Sequence, residues 1–150
     1  MSVTTDYLDD VFNKSLFESG IDLAAARLLK FGLHKFDSIA FSGVSGAAYA
    51  FPLAYKLGVN LINIRKEDSA HYPDIFEGYT NSKKYIIVDD FVETGATLAR
   101  IQEGVKAYYG VSKPRLVGIY LYTSNANEYS LSMFRRRRNS FFLHDIEVED

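Results

Sequence analysis

The sequence predicts an α/β protein: a single domain with a mainly parallel four- to five-stranded sheet, helices on both faces and a small hood. Three observations predict it. Apolar runs and amphipathic stretches follow one another as strand, helix, strand, connection, strand, helix, strand, the order of right-handed parallel βαβ crossovers. With 150 residues, 47% hydrophobic and 15% aromatic, the chain can bury about 70% of its unfolded surface in one core. No internal repeat or low-complexity linker interrupts it. Residues 1–150 therefore read as one domain, with a core from about 36 to 122 and a hood from the termini.

From Asp6 to about Leu33 the apolar residues Leu8, Val11, Phe12, Leu16, Ile21, Leu23, Ala24, Leu28 and Leu29 recur at spacings of three and four. This predicts two helices broken near Ser19-Gly20, with Gly32 ending the second. Phe36 to Ser42 is a short apolar strand that runs into the glycine-bearing turn Gly43-Val44-Ser45-Gly46. Ala47 to Leu57 is predicted helical and Gly58 stops it, with Pro52 expected to kink the helix or delay its start. Asn60 to Arg65 is the second strand, and Lys66 to Lys83 a polar connection long enough to be a functional loop.

Lys84 to Asp89 is the third strand, with Tyr85-Ile86-Ile87-Val88 suited to a central position buried on both faces. Gly95 to Tyr109 carries Leu98, Ile101, Val105 and Tyr108 on one helical stripe and is closed by Gly110. Arg115 to Leu121 is the fourth strand. Beyond it, Asn125 to Met133 is expected to form a short helix, Ser140 to Leu143 a short edge strand, and the acidic end from Asp145 to fray.

Composition narrows the function. With 17 Lys and Arg against 19 Asp and Glu, the net charge is −2 and the protein is not basic overall. The absence of Cys excludes a disulfide framework, a thiolate nucleophile and cysteine-ligated metal sites. His34, His71 and His144 have no metal-ligand spacing. The acidic N-terminus lacks the features of a secretory signal, and no apolar run approaches the ~18 residues of a membrane span. A cytoplasmic location with no membrane partner is expected.

The densest chemical signal is Tyr85 to Thr97, an apolar strand ending in Asp89-Asp90, then a turn whose Thr94-Gly95-Ala96-Thr97 opens a helix. The acids fall at the carboxyl edge of a parallel sheet, where open α/β folds bind ligands. The turn offers backbone N–H groups and hydroxyls at a helix N-terminus, which attracts phosphate. Acids beside an anion site repel a bare phosphate, so the matching ligand carries hydroxyls or a metal on one side and phosphate on the other. A sugar phosphate has that shape.

Ile86 to Thr97 resembles the 5-phosphoribosyl-1-pyrophosphate (PRPP) motif of the type I phosphoribosyltransferase family. The resemblance implies that family's fold and a Mg²⁺-dependent transfer of the phosphoribosyl group of PRPP to a nucleobase nitrogen, with release of pyrophosphate, in nucleotide salvage. It assigns Asp89 and Asp90 to the ribose hydroxyls, touching the metal only through water. Thr94, Gly95, Ala96 and Thr97 go to the 5′-phosphate, and Glu93 to proton transfer at the base. Phe41 to Ala47 is similar to the family's pyrophosphate loop, which assigns Ser42, Gly43, Val44 and Ser45 to pyrophosphate. Arg65 and Lys66 resemble the basic pair that opens the family's flexible loop, implying pyrophosphate binding by both and a catalytic role for Lys66. His71 would lie in that loop, and Phe141 or Phe142 would stack on the base from the hood. The resemblance also implies a homodimer.

The acceptor stays open: Glu93 points to a 6-oxopurine, while Lys66 to His71 is similar to the loops of orotate and adenine enzymes. Two other readings remain. In one, the chain is a PRPP-binding regulator that contacts nucleic acid through Arg135-Arg136-Arg137-Arg138. In the other, Gly43 to Ala47 is a near miss to a nucleophile elbow, and Ser45 acts with Asp89 or Asp90 and His144 as a serine hydrolase. No Gly-x-x-x-x-Gly-Lys-Ser/Thr occurs anywhere in the sequence, which argues against a P-loop enzyme.

Overall fold

The computed structural model describes residues 9–66, 75–90, 95–123 and 142–149. Along the chain these form α1 (Asp9–Phe12), α2 (Lys14–Phe31), β1 (Ser38–Phe41), α3 (Gly43–Leu57), β2 (Asn60–Ile64), β3 (Phe76–Gly78), β4 (Lys84–Asp89), α4 (Ala96–Tyr109) and β5 (Arg115–Leu121). The strands make one five-stranded sheet in the order β3-β2-β1-β4-β5. β1 pairs in parallel with β2 and β4, and β4 with β5, while β3 is antiparallel to β2. This is the mainly parallel α/β architecture expected.

Alternation along the strands sorts side chains to two apolar layers. Ile39, Phe41, Ile86 and Val88 pack under α2 and α3, and Ala40, Ile62, Tyr85 and Ile87 under α4. On β5 a register shift opposite Tyr85/Ile86 changes the parity, so that Val117 and Tyr120 face the first layer and Ile119 and Leu121 the second. Gly118 at this point lets Leu143 lie on the strand, since a Cβ there would come within 2.7 Å of the Leu143 side chain. No helix among the described residues is long and apolar enough to cross a membrane.

Several boundaries differ from expectation. The break in the N-terminal helices falls at Asn13, whose extended backbone and side chain cap α2 by accepting from the Leu16 N–H at 3.2 Å. Gly20 stays inside α2, where a Cβ would collide with the Tyr49 hydroxyl, so it is a close-approach glycine and not a break. α2 contributes Ile21, Ala24, Ala25, Leu28 and Phe31 to the core, which therefore extends beyond the 36–122 segment. α3 begins at Gly43, four residues early, and runs through Pro52. β3 interrupts the expected 66–83 connection, because three residues paired at an edge leave no periodic signal. Of the strand expected at 140–143, the described residues show a bridge between Phe142 and Ile119, and Phe142 is buried in the α4 layer, not held in a hood. The helix expected at 125–133 lies outside the described residues.

At the amino edge of the sheet, Asp37 joins β1 to β4. Its carboxylate accepts from the Ser38 and Ser82 hydroxyls, each at 2.6 Å, and from the Lys83 and Lys84 N–H groups at 2.8 and 3.1 Å. Burial alone would raise its pKa, but these bonds outweigh it and hold the carboxyl below the usual range. A lowered folded-state value adds stability above about pH 4, which is lost as pH falls through that value. Asp37→Ala is expected to destabilise the protein by about 2–3 kcal/mol in chemical denaturation at neutral pH, and to remove part of the native chain's loss of stability in acid.

Candidate functional site

The chain leaves β1 through α3 to reach β2 on one side, and leaves β4 through α4 to reach β5 on the other. Strand order thus reverses between β1 and β4, and a crevice opens beyond their carboxyl ends, where such folds bind ligands. Three of the expected segments end there: Ser42 to Ser45 after β1, Asp89-Asp90 at the end of β4, and Gly95 to Thr97 at the start of α4.

Asp89 and Asp90 are only 4% and 6% exposed, so the pair is carried into the protein by the strand that bears it. The Asp89 carboxylate accepts from the Asp90 N–H at 2.9 Å and lies 3.4 Å from the Ser45 hydroxyl. Burial pushes its pKa up to about 7, and the neighbouring Asp90 side chain adds to the rise. The Asp90 N–H and the charge of Lys66 oppose it. Donors supplied by a ligand, such as ribose hydroxyls, would favour the ionised form.

On the β1 side, what was expected as a loop is the first turn of α3. Ser42 is the extended residue before the helix, and the first backbone N–H groups from Gly43 onward have no intrahelical partner. The Ser42 side chain is buried and its hydroxyl has no hydrogen-bond partner among the described residues. Gly43 has φ 83°, and a Cβ there would lie 3.0 Å from Lys66 Nζ, so its lack of a side chain lets the ammonium sit over the helix start. Gly46 allows α3 to press on β4, since its Cβ would meet the Val88 carbonyl at 3.1 Å. Helix N-terminus and ammonium together make an anion-binding corner beside the acids. On the β4 side, Gly95 takes a left-handed conformation (φ 83°) immediately before α4, leaving the N–H groups of Ala96 and Thr97 at a second helix N-terminus.

Lys66 thus joins the site, whereas Arg65 is directed to β3, its Nε 3.0 Å from a Glu77 carboxylate oxygen. That ion pair spans the β2–β3 edge. His71, Glu93, Thr94, Arg135 to Arg138 and Phe141 lie outside the described residues. The hydrolase arrangement is not assembled: Ser45 meets Asp89 directly, while His144 Nδ1 accepts from the Leu121 N–H at 3.2 Å. Sequence reasoning missed Tyr122 and Thr123, whose contacts to Ser45, Asp89 and Asp90 only the folded arrangement reveals.

The raised Asp89 value has a definite sign. Its contribution to stability is fully present below about pH 4 and is lost as pH rises through about 7, because ionised Asp89 is disfavoured in the fold. Asp89→Asn is therefore expected to melt at a higher temperature than the native chain at about pH 8, with the difference vanishing near pH 4. Melting curves across that range check it; a variant less stable than the native chain at pH 8 would contradict it.

No family model matches the chain. It is 29% identical over 94 residues to an orotate phosphoribosyltransferase of Rhizobium meliloti, covering 61% of this chain and 40% of that protein. It is 29% identical over 117 residues to an adenine phosphoribosyltransferase of Fervidobacterium nodosum, covering 67% of each. The chain thus spans well under half of the orotate relative and about two thirds of the adenine one. Among solved structures, adenine phosphoribosyltransferase from Saccharomyces cerevisiae, complexed with an imino-altritol bisphosphate and adenine, superposes with TM-score 0.64 at 25% identity, over 87% of this chain and 80% of that one. Orotate phosphoribosyltransferase of Mycobacterium tuberculosis H37Rv in complex with PRPP shares the fold, with TM-score 0.61 at 15% identity over 94% of this chain and 81% of that one. In its sheet order, its acid pair at the switch point and its sequence, the chain is thus similar to orotate and adenine phosphoribosyltransferases.

Proposed function

We propose that the protein is an enzyme that transfers the phosphoribosyl group of PRPP to a ring nitrogen of a nucleobase and releases pyrophosphate. The observation that carries this reading is one crevice in which a buried acid pair lies between two helix N-termini, one of them under Lys66. PRPP has the complementary order of groups: a 5′-phosphate at one end, ribose hydroxyls in the middle and a pyrophosphate at the other. α4 receives the 5′-phosphate through Gly95, Ala96 and Thr97, and Thr94 is assigned to the same phosphate by its place in the motif. Asp89 and Asp90 accept from the ribose hydroxyls, and the start of α3 with Lys66 holds the pyrophosphate.

The reaction breaks the bond from the anomeric carbon to pyrophosphate and forms one to the base nitrogen, so positive charge builds on the ribose as negative charge builds on the leaving group. Acids beneath the sugar and donors around the pyrophosphate match that distribution before the reaction begins. Glu93 is proposed to handle the proton of the base, and the segment carrying His71 to exclude water. Asp89 and Asp90 also fit Mg²⁺. No group of three or more His, Asp or Glu side chains forms a metal cage among the described residues, and Mg²⁺ is commonly held by one or two carboxylates with water and substrate oxygens. Bound there through water, the ion would neutralise charge on the leaving pyrophosphate.

Adenine and orotate head the list of acceptors, because the relatives carry those names and Lys66 to His71 resembles their loops. A homodimer is proposed through the outer face of α3, where Val44, Phe51 and Tyr55 are exposed beside an apolar groove of about 450 Å³.

Pyrophosphate release from PRPP with Mg²⁺ is expected to depend on one base in a panel of orotate, uracil, adenine, hypoxanthine, guanine, xanthine and nicotinate. Release with none of them, despite PRPP binding seen by calorimetry, would replace the enzyme with a PRPP-binding regulator.

A further inference from the structure

Tyr122 lies immediately after β5 and past the segments that resemble the family's motifs, yet it touches both halves of the site. Its backbone N–H donates to the Asp89 carbonyl at 3.1 Å, continuing the β4–β5 ladder one step beyond the strand. Its hydroxyl crosses to α3 and donates to the Ser45 carbonyl at 2.7 Å. Thr123 reinforces the first grip, giving both its N–H (3.1 Å) and its hydroxyl (2.8 Å) to the Asp90 carbonyl. The acid pair is thus fixed by the backbone that follows β5, and the first turn of α3 by one phenol from the same place.

The phenol itself is held. Its ring stacks on Tyr49 with centroids 3.7 Å apart and planes 5° from parallel, and Tyr49 is buried with its hydroxyl against Gly20 of α2. A ring clamped in this way has little freedom, so its hydrogen bond sets where Ser45 sits. Ser45 in turn brings its own hydroxyl to 3.4 Å from Asp89. Catalytic geometry is sensitive to displacements of about 1 Å, and a helix start that drifted from the acids would hold pyrophosphate out of line with the ribose.

We propose that Tyr122 is a positioning residue that locks the pyrophosphate-binding turn of α3 to the ribose-binding acids of β4. The inference rests on the phosphoribosyl reading above. It separates two ligands that a general structural role would treat alike: PRPP, which spans both halves, and ribose 5-phosphate, which lacks the pyrophosphate.

Tyr122→Phe removes the hydroxyl and keeps the ring, its stack and the backbone bond to Asp89. Calorimetric titration with Mg²⁺ is expected to show PRPP bound about three- to tenfold more weakly by the variant, and ribose 5-phosphate bound within about twofold of the native value. Unchanged PRPP affinity in the variant would overturn the inference alone, as would an equal loss for both ligands, which marks a general distortion. A native chain that binds neither ligand would overturn the phosphoribosyl reading and this inference with it.

Discussion

Two adjacent carboxylates buried at the end of a central strand are the constraint around which this protein is arranged. β4 lies between β1 and β5 and is buried along nearly its whole length, so whatever follows Val88 enters the crevice without first reaching bulk water. Ionised acids in such a place are costly unless they find donors or cations. The surroundings meet part of that cost. The Asp90 N–H turns back to the Asp89 carboxylate, the Ser45 hydroxyl approaches it, and Lys66 lowers its pKa from across the start of α3. Gly43 and Gly46 leave the room these approaches need.

The two ends of the sheet use aspartate in opposite senses. At the amino edge, Asp37 is satisfied by hydroxyls and backbone N–H groups and stabilises the joint between β1 and β4. At the carboxyl edge, Asp89 is buried with an acidic neighbour and its ionisation works against the fold. A residue that weakens the fold while lining a ligand crevice is what a binding site looks like when affinity and stability compete. The proposed ligand resolves that competition, since ribose hydroxyls and a hydrated cation would bring donors and positive charge to the acids.

Much of this was legible in the sequence, because the informative elements are locally encoded. Tyr85 to Val88 followed by Asp89-Asp90 has one structural meaning in a parallel sheet, and the stripe on α4 reads directly as one buried face. The losses have physical causes. β3 has too few residues for alternation to register, and the start of α3 was masked by glycines that serve close approach as well as turning. Arg65 and Lys66 are neighbours in sequence, yet Arg65 meets Glu77 of β3 while Lys66 lies over Gly43, a division that only the folded edge reveals. Tyr122 is one tyrosine among 11, and its importance lies in contacts with Ser45 and Asp89, distant in the chain.

The carboxylate raised by burial is the one proposed to receive the sugar. Observing the Asp89 side-chain carboxyl carbon by NMR through a pH titration, with and without PRPP and Mg²⁺, tests it directly. A midpoint at about 7 is expected in the free protein, falling when PRPP binds. A midpoint in the ordinary carboxylate range near about 4, or one that PRPP leaves unmoved, would contradict it.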